Sequence, residues 1–300
     1  MTPVLEMTGL GKRYGRLWAL RGCSLALPGA SVIGLVGPNG AGKTTLLELA
    51  VGLLEPTSGG VQVLGEPPAG WRQGHPGVGY VSQEQALYPH FTVTDLVRMG
   101  AALNRRWDAA VAWRRLDQLD IPRWQRAGKL SGGQKAQVAL ALTLAKRPEL
   151  LILDEPLSSL DPVARRDFMA TVMTAAAEER LTVLFSSHVV AELERVCDYL
   201  VVLSHGQVQL DGNIEELLAG HHRLIGPAEA VVPAGVAAVV AQTRTGRQAN
   251  LIVRDATAAY PPVWQVADLT LEDLVLGYME HPACGARSGP RAVASSGTGS

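Results

Sequence analysis

The sequence predicts an α/β fold built on a mainly parallel sheet, and three patterns carry that prediction. An apolar run over residues 32–36 is followed by a glycine-rich loop and a helical pattern over residues 46–50. Two further apolar runs, residues 150–153 and 181–185, each end in polar residues, with a helical pattern over residues 163–180 between them. Apolar strands that alternate with helices are typical of a parallel sheet covered on both faces.

Composition limits the class of protein. A chain of 300 residues holds one large or two modest domains with a real core. Its formal charge of −1 argues against broad electrostatic binding to nucleic acid. The cysteines Cys23, Cys197 and Cys284 are odd in number and widely spaced, so we expect no disulfide framework or zinc site, and a reducing cytosol as the natural location.

No membrane span or signal peptide is expected. The first residues lack a basic start and an apolar core. The uncharged stretch over residues 22–42 is long enough to span a bilayer, but Pro28, Pro38, Asn39 and its six glycines would leave backbone groups unsatisfied in lipid.

The glycine-rich loop has the spacing G-x-x-x-x-G-K-[ST] between a strand and a helix. Its residues are Gly37, Pro38, Asn39, Gly40, Ala41, Gly42, Lys43 and Thr44, followed by Thr45. Glycines let backbone N–H groups turn inward around an anion. Lys43 can reach the β- and γ-phosphates and the Thr44 hydroxyl can ligate Mg²⁺. The stretch therefore predicts a nucleotide site, since a chance glycine turn would have to match four fixed positions in this setting.

The region around this loop is expected to be rich in strands. Before the loop, three short strands are predicted at residues 5–9, 24–27 and 32–36. Tyr14 is placed in a polar turn, where its ring either stacks on a base or packs against the sheet edge. After the first helix, residues 59–65 are predicted as a turn-rich strand pair, and residues 78–82 as a strand ending on Gln83.

From residue 93 to about residue 146 the pattern is helical, with one helix opening at residues 94–97 and another over residues 107–119. The last helix begins at a Ser-Gly-Gly turn and stops before Pro148. The turn comprises Ser131, Gly132, Gly133 and Gln134. It is either a second anion-binding helix N-terminus or an ordinary serine cap.

Acidic residues follow the apolar run 150–153. A strand that ends in Asp is the usual counterpart of a phosphate loop, so the Asp154 carboxylate is expected to meet the Mg²⁺, and Glu155 to orient or deprotonate a water. The alternative is that both acids only cap the next helix. The strand at 181–185 closes on His188, which on its own would favour a structural role.

Four predicted strands thus end at Gly37, Gln83, Asp154 and His188. Ligands of parallel α/β sheets collect outside the carboxyl ends of the strands, so these residues are expected to converge.

Taken in order, these motifs resemble the ATP-binding subunit of ATP-binding cassette (ABC) transporters over about residues 4–218. Gln83 matches the Q-loop, residues 130–134 the LSGGQ signature, residues 150–155 Walker B, residues 159–161 the D-loop and His188 the switch histidine. The resemblance implies the phosphate-loop ATPase fold of this family, with an antiparallel β subdomain and a helical insertion subdomain.

The resemblance also implies roles for individual residues. ATP would be held by the phosphate loop, with its adenine stacked on Tyr14, and Mg²⁺ by Thr44, Gln83 and Asp154. Glu155 would be the general base, and His188 would contact the γ-phosphate. Residues 131–134 would act in trans, because two such subunits sandwich ATP head to tail. The motif residues are intact, so both sites of a homodimer are expected to be competent.

The resemblance also implies a partner subunit and a direction of transport. Segments 102–108 and 119–122 look like those of bacterial drug and antibiotic exporters, whose membrane subunit is a separate chain. The chain is then expected to be cytoplasmic and peripheral on the inner face of the cell membrane. The alternative is a cytosolic ABC-type clamp or regulator on nucleic acid or ribosomes, which one cassette with a short insertion disfavours. A non-hydrolytic regulatory subunit is disfavoured by the intact Glu155.

The predicted domains are an ATP-binding domain at residues 1–220, with a helical subdomain at about 84–146, and a small accessory region at 221–281. In the accessory region, strands are expected at 236–242 and 250–254, and a helix capped by Thr270. It is interpreted as an appended lobe that packs on the ATPase rather than a ligand sensor. Residues 282–300 are predicted to be a disordered tail.

Overall fold

The computed structural model describes residues 2–68, 75–233, 235–255 and 260–280. Strands and helices alternate along most of this length. The strands are β1 (Leu5–Tyr14), β2 (Leu17–Leu27), β3 (Val32–Val36), β4 (Ser58–Val63), β5 (Val78–Val81), β6 (Leu150–Leu153), β7 (Thr182–Ser187), β8 (Tyr199–Ser204), β9 (Gln207–Asn213), β10 (His221–Pro227), β11 (Val236–Thr245), β12 (Gln248–Asp255) and β13 (Gln265–Ala267). The helices are α1 (Lys43–Ala50), α2 (Val93–Leu103), α3 (Ala109–Gln118), α4 (Gly132–Leu144), α5 (Pro162–Glu179), α6 (Val190–Glu194), α7 (Ile214–Ala219) and α8 (Leu271–Glu280).

A six-stranded sheet forms the centre of the fold, in the order β5-β6-β7-β3-β8-β9. All its neighbouring strands are parallel except β8 and β9. β3, β6 and β7 are buried along their whole length, which explains their continuous apolar sequence. The predicted α/β class with a mainly parallel core and separate antiparallel strands is confirmed.

The register of the parallel strands aligns the carboxyl ends of β3, β5, β6 and β7. Val81 is paired with Leu153, Leu153 with Phe185, and Val36 with Ser187. The residues that follow β5, β6, β7 and β3 therefore emerge at one edge of the sheet.

A second, three-stranded antiparallel sheet has the order β2-β1-β4 and differs from the prediction. The strands predicted at 5–9 and 24–27 are parts of two longer strands, joined by a tight turn that pairs Tyr14 with Leu17. Tyr14 ends β1 and does not lie in a turn, because cross-strand pairing continues through the polar residues Lys12 and Arg13. The pair of strands predicted at residues 59–65 is instead the single strand β4 followed by a turn.

The helical segment contains α2, α3, a 3₁₀ turn at Ala127–Lys129 and α4. The helix predicted at 107–119 is α3, which begins later because the Asp108 side chain accepts a hydrogen bond from Ala110 N and caps it. α2 begins at a capping box between Thr92 and Asp95. These helices share an apolar core that includes Val93, Leu116 and Val138.

Residues 221–280 form a four-stranded antiparallel sheet, β11-β12-β10-β13, and α8. The sequence did not indicate β10 or β13. β10 begins with the polar residues His221, His222 and Arg223, which are not typical of a strand, and β13 has only three residues. As predicted, Thr270 caps α8, since its hydroxyl accepts from Asp273 N. The predicted tail at 282–300 and Cys284 lie outside the described residues.

Candidate functional site

A cleft of about 370 Å³ opens at the carboxyl edge of the central sheet. Its walls come from the loop after β3, the start of α1 and the residues after β5, β6 and β7. The lining residues are Ala19, Asn39, Gly40, Gly42, Lys43, Thr44, Thr45, Gln83, Glu155 and His188. The cleft is within the size range of small-molecule sites, and residues more than a hundred positions apart in sequence meet in it.

The backbone of the glycine loop is shaped by close contacts that exclude side chains. Gly42 has φ +103°, and a Cβ there would lie 2.6 Å from the Ala19 carbonyl oxygen. At Gly37 a Cβ would collide with the Leu203 carbonyl oxygen. Gly42 is the N-cap of α1 and provides no side-chain cap. The first N–H groups of α1 are therefore left for another acceptor, as in anion-binding helix N-termini.

Lys43 lies at the floor of the cleft and is buried. Its Nζ donates to Gly37 O at 2.7 Å and lies 3.1 Å from Glu155 Oε1. It also donates to Pro38 O at 3.4 Å, and a buried ammonium with three oxygen partners is held in place as a fixed positive charge.

Glu155 connects Lys43 to His188. Its second oxygen, Oε2, lies 2.7 Å from His188 Nδ1. Glu155 is 8% exposed and adopts φ +46°, a conformation that costs a non-glycine residue free energy and often marks a functional position. A buried carboxylate that faces a cleft between a lysine and a histidine is placed to accept a proton from a bound water.

The preceding residue, Asp154, is almost fully buried. The Ser186 hydroxyl donates to Asp154 Oδ1 at 2.8 Å and accepts from Glu155 N at 2.8 Å. Ser186 thus fixes both acids, a role that the sequence did not reveal. The one signal was indirect, because aligned ends of β6 and β7 place the residue after Leu153 beside the residue after Phe185.

Three residues at this edge of the sheet carry oxygens that suit a hard divalent cation. Thr44, Gln83 and Asp154 offer a hydroxyl, an amide oxygen and a carboxylate, the ligand types that Mg²⁺ prefers. Burial raises the pKa of Glu48, one turn after Thr44 on α1, and the charge of Asp154 raises it further. Burial also raises the pKa of Tyr80, with further contributions from Asp154 and Glu48. This concentration of negative charge favours a cation here.

Gln85, two residues beyond Gln83, was also missed. Its side chain is buried and donates through Nε2 to Pro156 O at 3.4 Å. It ties the segment after β5 to the segment that carries Glu155.

The residues Ser131, Gly132, Gly133 and Gln134 do not line the cleft. They form the exposed start of α4, where the Ser131 Oγ accepts from Gln134 N at 3.2 Å and Gln134 Oε1 accepts from Ser131 N at 3.0 Å. A Cβ on Gly133 would lie 2.9 Å from the Cβ of Ala164, so this turn packs beside the start of α5.

Tyr14 is also outside the lining of the cleft. Its side chain is 49% exposed, and the Lys12 ammonium lies 5.4 Å from the centre of its ring. Base stacking by Tyr14 therefore stays a prediction.

Among the residues that the structure describes, no helix combines the length and apolar character needed to cross a bilayer.

Comparison with known proteins identifies this arrangement. Residues 20–158 match the family described as ABC transporter. An uncharacterized ABC transporter ATP-binding protein of Nostoc sp. is 35% identical over 238 residues, 74% of this chain and 70% of that protein. An Fe(3+) ions import ATP-binding protein of Rhodococcus jostii is 37% identical over 72% of this chain and 64% of its own length. The Nod factor export ATP-binding protein I of Ralstonia nicotianae is 34% identical over 72% of this chain and 69% of its own length.

Solved structures agree with the sequence relatives. An ATP-binding subunit of an ABC transporter superposes with a TM-score of 0.64 and 26% identity, covering 72% of this chain and 92% of that one. The structure of cbiO1 from Clostridium perfringens, part of the ABC transporter complex cbiONQ, gives 0.63 and 28%, covering 73% and 92%. With the phosphate loop, Glu155 and His188 gathered in one cleft, the chain belongs to the ABC transporter family of ATP-binding ATPases.

Proposed function

We propose that this chain is the ATP-hydrolysing subunit of a membrane transporter whose transmembrane subunit is a separate chain. The observation that carries the proposal is the contact of Glu155 with both Lys43 and His188 inside the cleft that the phosphate loop lines. The relatives described above are transporter subunits, which favours this function over a clamp on nucleic acid or ribosomes.

In this proposal the phosphates of ATP occupy the loop at residues 37–45. The N–H groups at the start of α1 and the Lys43 ammonium bind them, and Tyr14 stacks on the adenine. Glu155 accepts the proton of the attacking water, and His188 contacts the γ-phosphate and holds Glu155 in place. Mg²⁺, held by Thr44, Gln83 and Asp154, would neutralise charge on the phosphates.

We further propose that two copies bind ATP head to tail between them. The support is the position of residues 131–134, which lie outside the cleft of their own chain at an exposed helix N-terminus. The N–H groups of Gly132 and Gly133 and the Ser131 hydroxyl would complete the site of the second copy.

The transmembrane subunit would hold the chain at the inner face of the cell membrane. For the direction of transport we propose export of a drug- or antibiotic-like substrate, which rests on the insertion segments 102–108 and 119–122. The relatives include proteins named for import and for export at similar identity, so they do not favour either direction. Uptake of substrate by inside-out vesicles containing the complex would test it.

The division into an ATP-binding domain at 1–220 with a helical subdomain at about 84–146, followed by an accessory region, is part of the same proposal. The separate apolar core of α2, α3 and α4 supports it. The core that α8 shares with β8 supports an accessory region at 221–281 that packs on the ATPase.

Replacement of the proposed base tests the function directly. Glu155→Gln should retain ATP binding and reduce hydrolysis about 100-fold or more, because the amide keeps the shape of the carboxylate but cannot accept the proton. Phosphate release and binding of a fluorescent ATP analogue measure the two steps. Size-exclusion chromatography should show an ATP-dependent dimer. Hydrolysis at the parent rate would show that Glu155 is not the base.

The exposed Glu84→Gln is a matched control, because it makes the same chemical change near Gln83 without touching the cleft. It should hydrolyse ATP like the parent.

A further inference from the structure

The end of β8 and the turn that joins it to β9 lie behind the phosphate loop and contact it at two points. Gly206 N donates to Ala41 O at 3.2 Å, and the Leu203 carbonyl oxygen is packed directly against Gly37. These contacts fall near the two ends of the glycine loop. The position of this turn therefore helps to set the path of the loop backbone.

The same turn is wedged against the wall of the cleft. Gly206 O accepts from Arg21 N at 2.8 Å, and a Cβ on Gly206 would lie 2.6 Å from Ala19 O. Ala19 lines the cleft, and its carbonyl oxygen is also the atom that leaves no room for a side chain at Gly42. There is little free space for the turn to move without moving these neighbours.

At its other end the turn is attached to the C-terminal lobe. The Ser204 side chain is fully buried, and its hydroxyl donates to Met279 O in the last turn of α8 at 3.3 Å. His205 Nδ1 lies 2.9 Å from the same hydroxyl. The bond satisfies one of the carbonyl groups that the end of a helix leaves without an intrahelical partner.

α8 cannot shift independently of the sheet that carries this turn. Its apolar face, including Leu274 and Tyr278, belongs to the same buried cluster as Leu200 and Val202 of β8. On its other side, Gly277 packs closely against Ala241 and Ile252 of the lobe's own sheet. α8 is thus a layer between the C-terminal sheet and the strand that ends at Ser204.

We propose that Ser204 is a positioning residue through which the C-terminal lobe sets the geometry of the phosphate loop. The path runs from α8 through the Ser204 hydroxyl to the turn, and from Gly206 to Ala41. The C-terminal lobe, in the described residues of 221–280, then tunes nucleotide affinity. This inference rests on the proposed role of residues 37–45 in binding ATP.

Ser204→Ala tests the path, because it removes the bond to α8, together with the contact to His205, and leaves every residue of the cleft in place. Without nucleotide, hydrogen exchange of the peptide covering residues 37–47 should become about 3- to 10-fold faster, as expected for the loss of one hydrogen bond that holds the turn. The Kd for a fluorescent ATP analogue should rise by a similar factor. The kcat at saturating ATP should stay within about 2-fold of the parent, since the change acts on binding.

Ser31→Ala is the matched control. The Ser31 hydroxyl also donates to a backbone carbonyl, Pro28 O, at the same distance of 3.3 Å, but it lies before β3, at the far end of that strand from the loop. This variant should leave exchange of the 37–47 peptide and ATP affinity unchanged. Equal changes in both variants would reveal a general loss of stability and would overturn the proposal, as would parent-like behaviour of Ser204→Ala.

A second variant and the absence of nucleotide from the exchange experiment keep the result decisive. If Ser204→Ala does not fold, Ser204→Cys retains the volume with a weaker donor and should give a smaller change of the same sign; parent-like exchange would overturn the proposal. The exchange measurement contains no nucleotide. It therefore decides the coupling even if the parent chain fails to bind ATP, a result that would contradict the proposed function instead.

Discussion

Two helix N-termini in this chain carry glycines and a neighbouring lysine, yet their local structures differ. α1 begins after Gly42, which has no side chain to cap it, and its first residue Lys43 is buried in the cleft. α4 begins after Ser131, whose hydroxyl and backbone N–H are both used in a capping box with Gln134. The first end leaves its N–H groups for a ligand, whereas the second satisfies two of them with its own side chains and leaves those of Gly132 and Gly133.

The N-terminus of α1 is therefore part of a site that one chain assembles, whereas the N-terminus of α4 is capped by its own side chains. At α1 the positive charge, the loop backbone and the acids Asp154 and Glu155 are already assembled within one chain. At α4 Ser131 and Gly132 are exposed, and residues 131–134 do not line the cleft of their own chain. ATP binding should therefore be a property of the single chain, and hydrolysis should require the turn of a second copy.

Loss of the charge at α1 should have the largest effect. Lys43→Ala should weaken ATP binding about 100-fold or more, because it removes a buried charged group that also neutralises Glu155. Titration with a fluorescent ATP analogue measures the change. Lys129→Ala, at an exposed lysine of the 3₁₀ turn, should bind ATP like the parent. Retained affinity in Lys43→Ala would remove the distinction between the two helix ends.

A change at α4 should separate binding from hydrolysis. Ser131→Ala should leave the affinity of the single chain for ATP unchanged and reduce hydrolysis about 10- to 100-fold, because it removes one donor from the site proposed for the other copy. Steady-state phosphate release and equilibrium binding measure the two quantities.

Mixing Ser131→Ala with Lys43→Ala then provides the decisive comparison. If two copies bind ATP head to tail as proposed, a mixed dimer contains one complete site, formed by the phosphate loop of the first variant and residues 131–134 of the second. Its hydrolysis should exceed that of either variant alone. If the mixture shows only the average of the two variants, residues 131–134 do not act in trans.

The sequence predicted the functional residues of the cleft better than the residues that hold them in position. The phosphate loop, Asp154, Glu155 and His188 follow local patterns, and their positions at strand ends follow from a parallel sheet. Ser186, Gln85 and Ala19 follow no such local pattern. The contacts of Ser186 depend on the register of β6 and β7, and those of Gln85 on its backbone at positive φ. Ala19 reaches the cleft only because of where β2 lies. Tyr14 was misplaced in a turn for a related reason, since its strand is extended by pairing with β2.

The C-terminal lobe was predicted least completely. The helix at α8 and the strands β11 and β12 have apolar patterns that stand out in the sequence. β10 begins with His221, a buried histidine whose Nδ1 lies 2.6 Å from Leu217 O and whose Nε2 lies 2.9 Å from Tyr278 Oη. Such a residue becomes interpretable only when its distant partner on α8 is known.

The smallest expected effect concerns the capping box itself. Gln134→Ala removes the side chain that accepts from Ser131 N and should lower the free energy of unfolding by about 0.5–1 kcal/mol, measured by urea denaturation. Gln134→Glu keeps an acceptor in the S-x-x-E form of the box and should retain the parent stability. Neither variant should change ATP affinity of the single chain, because Gln134 is outside the cleft. A loss of ATP affinity in Gln134→Ala would mean that the N-termini of α1 and α4 are coupled within one chain. The start of α4 would then not be independent of the cleft, contrary to what its capping box indicates.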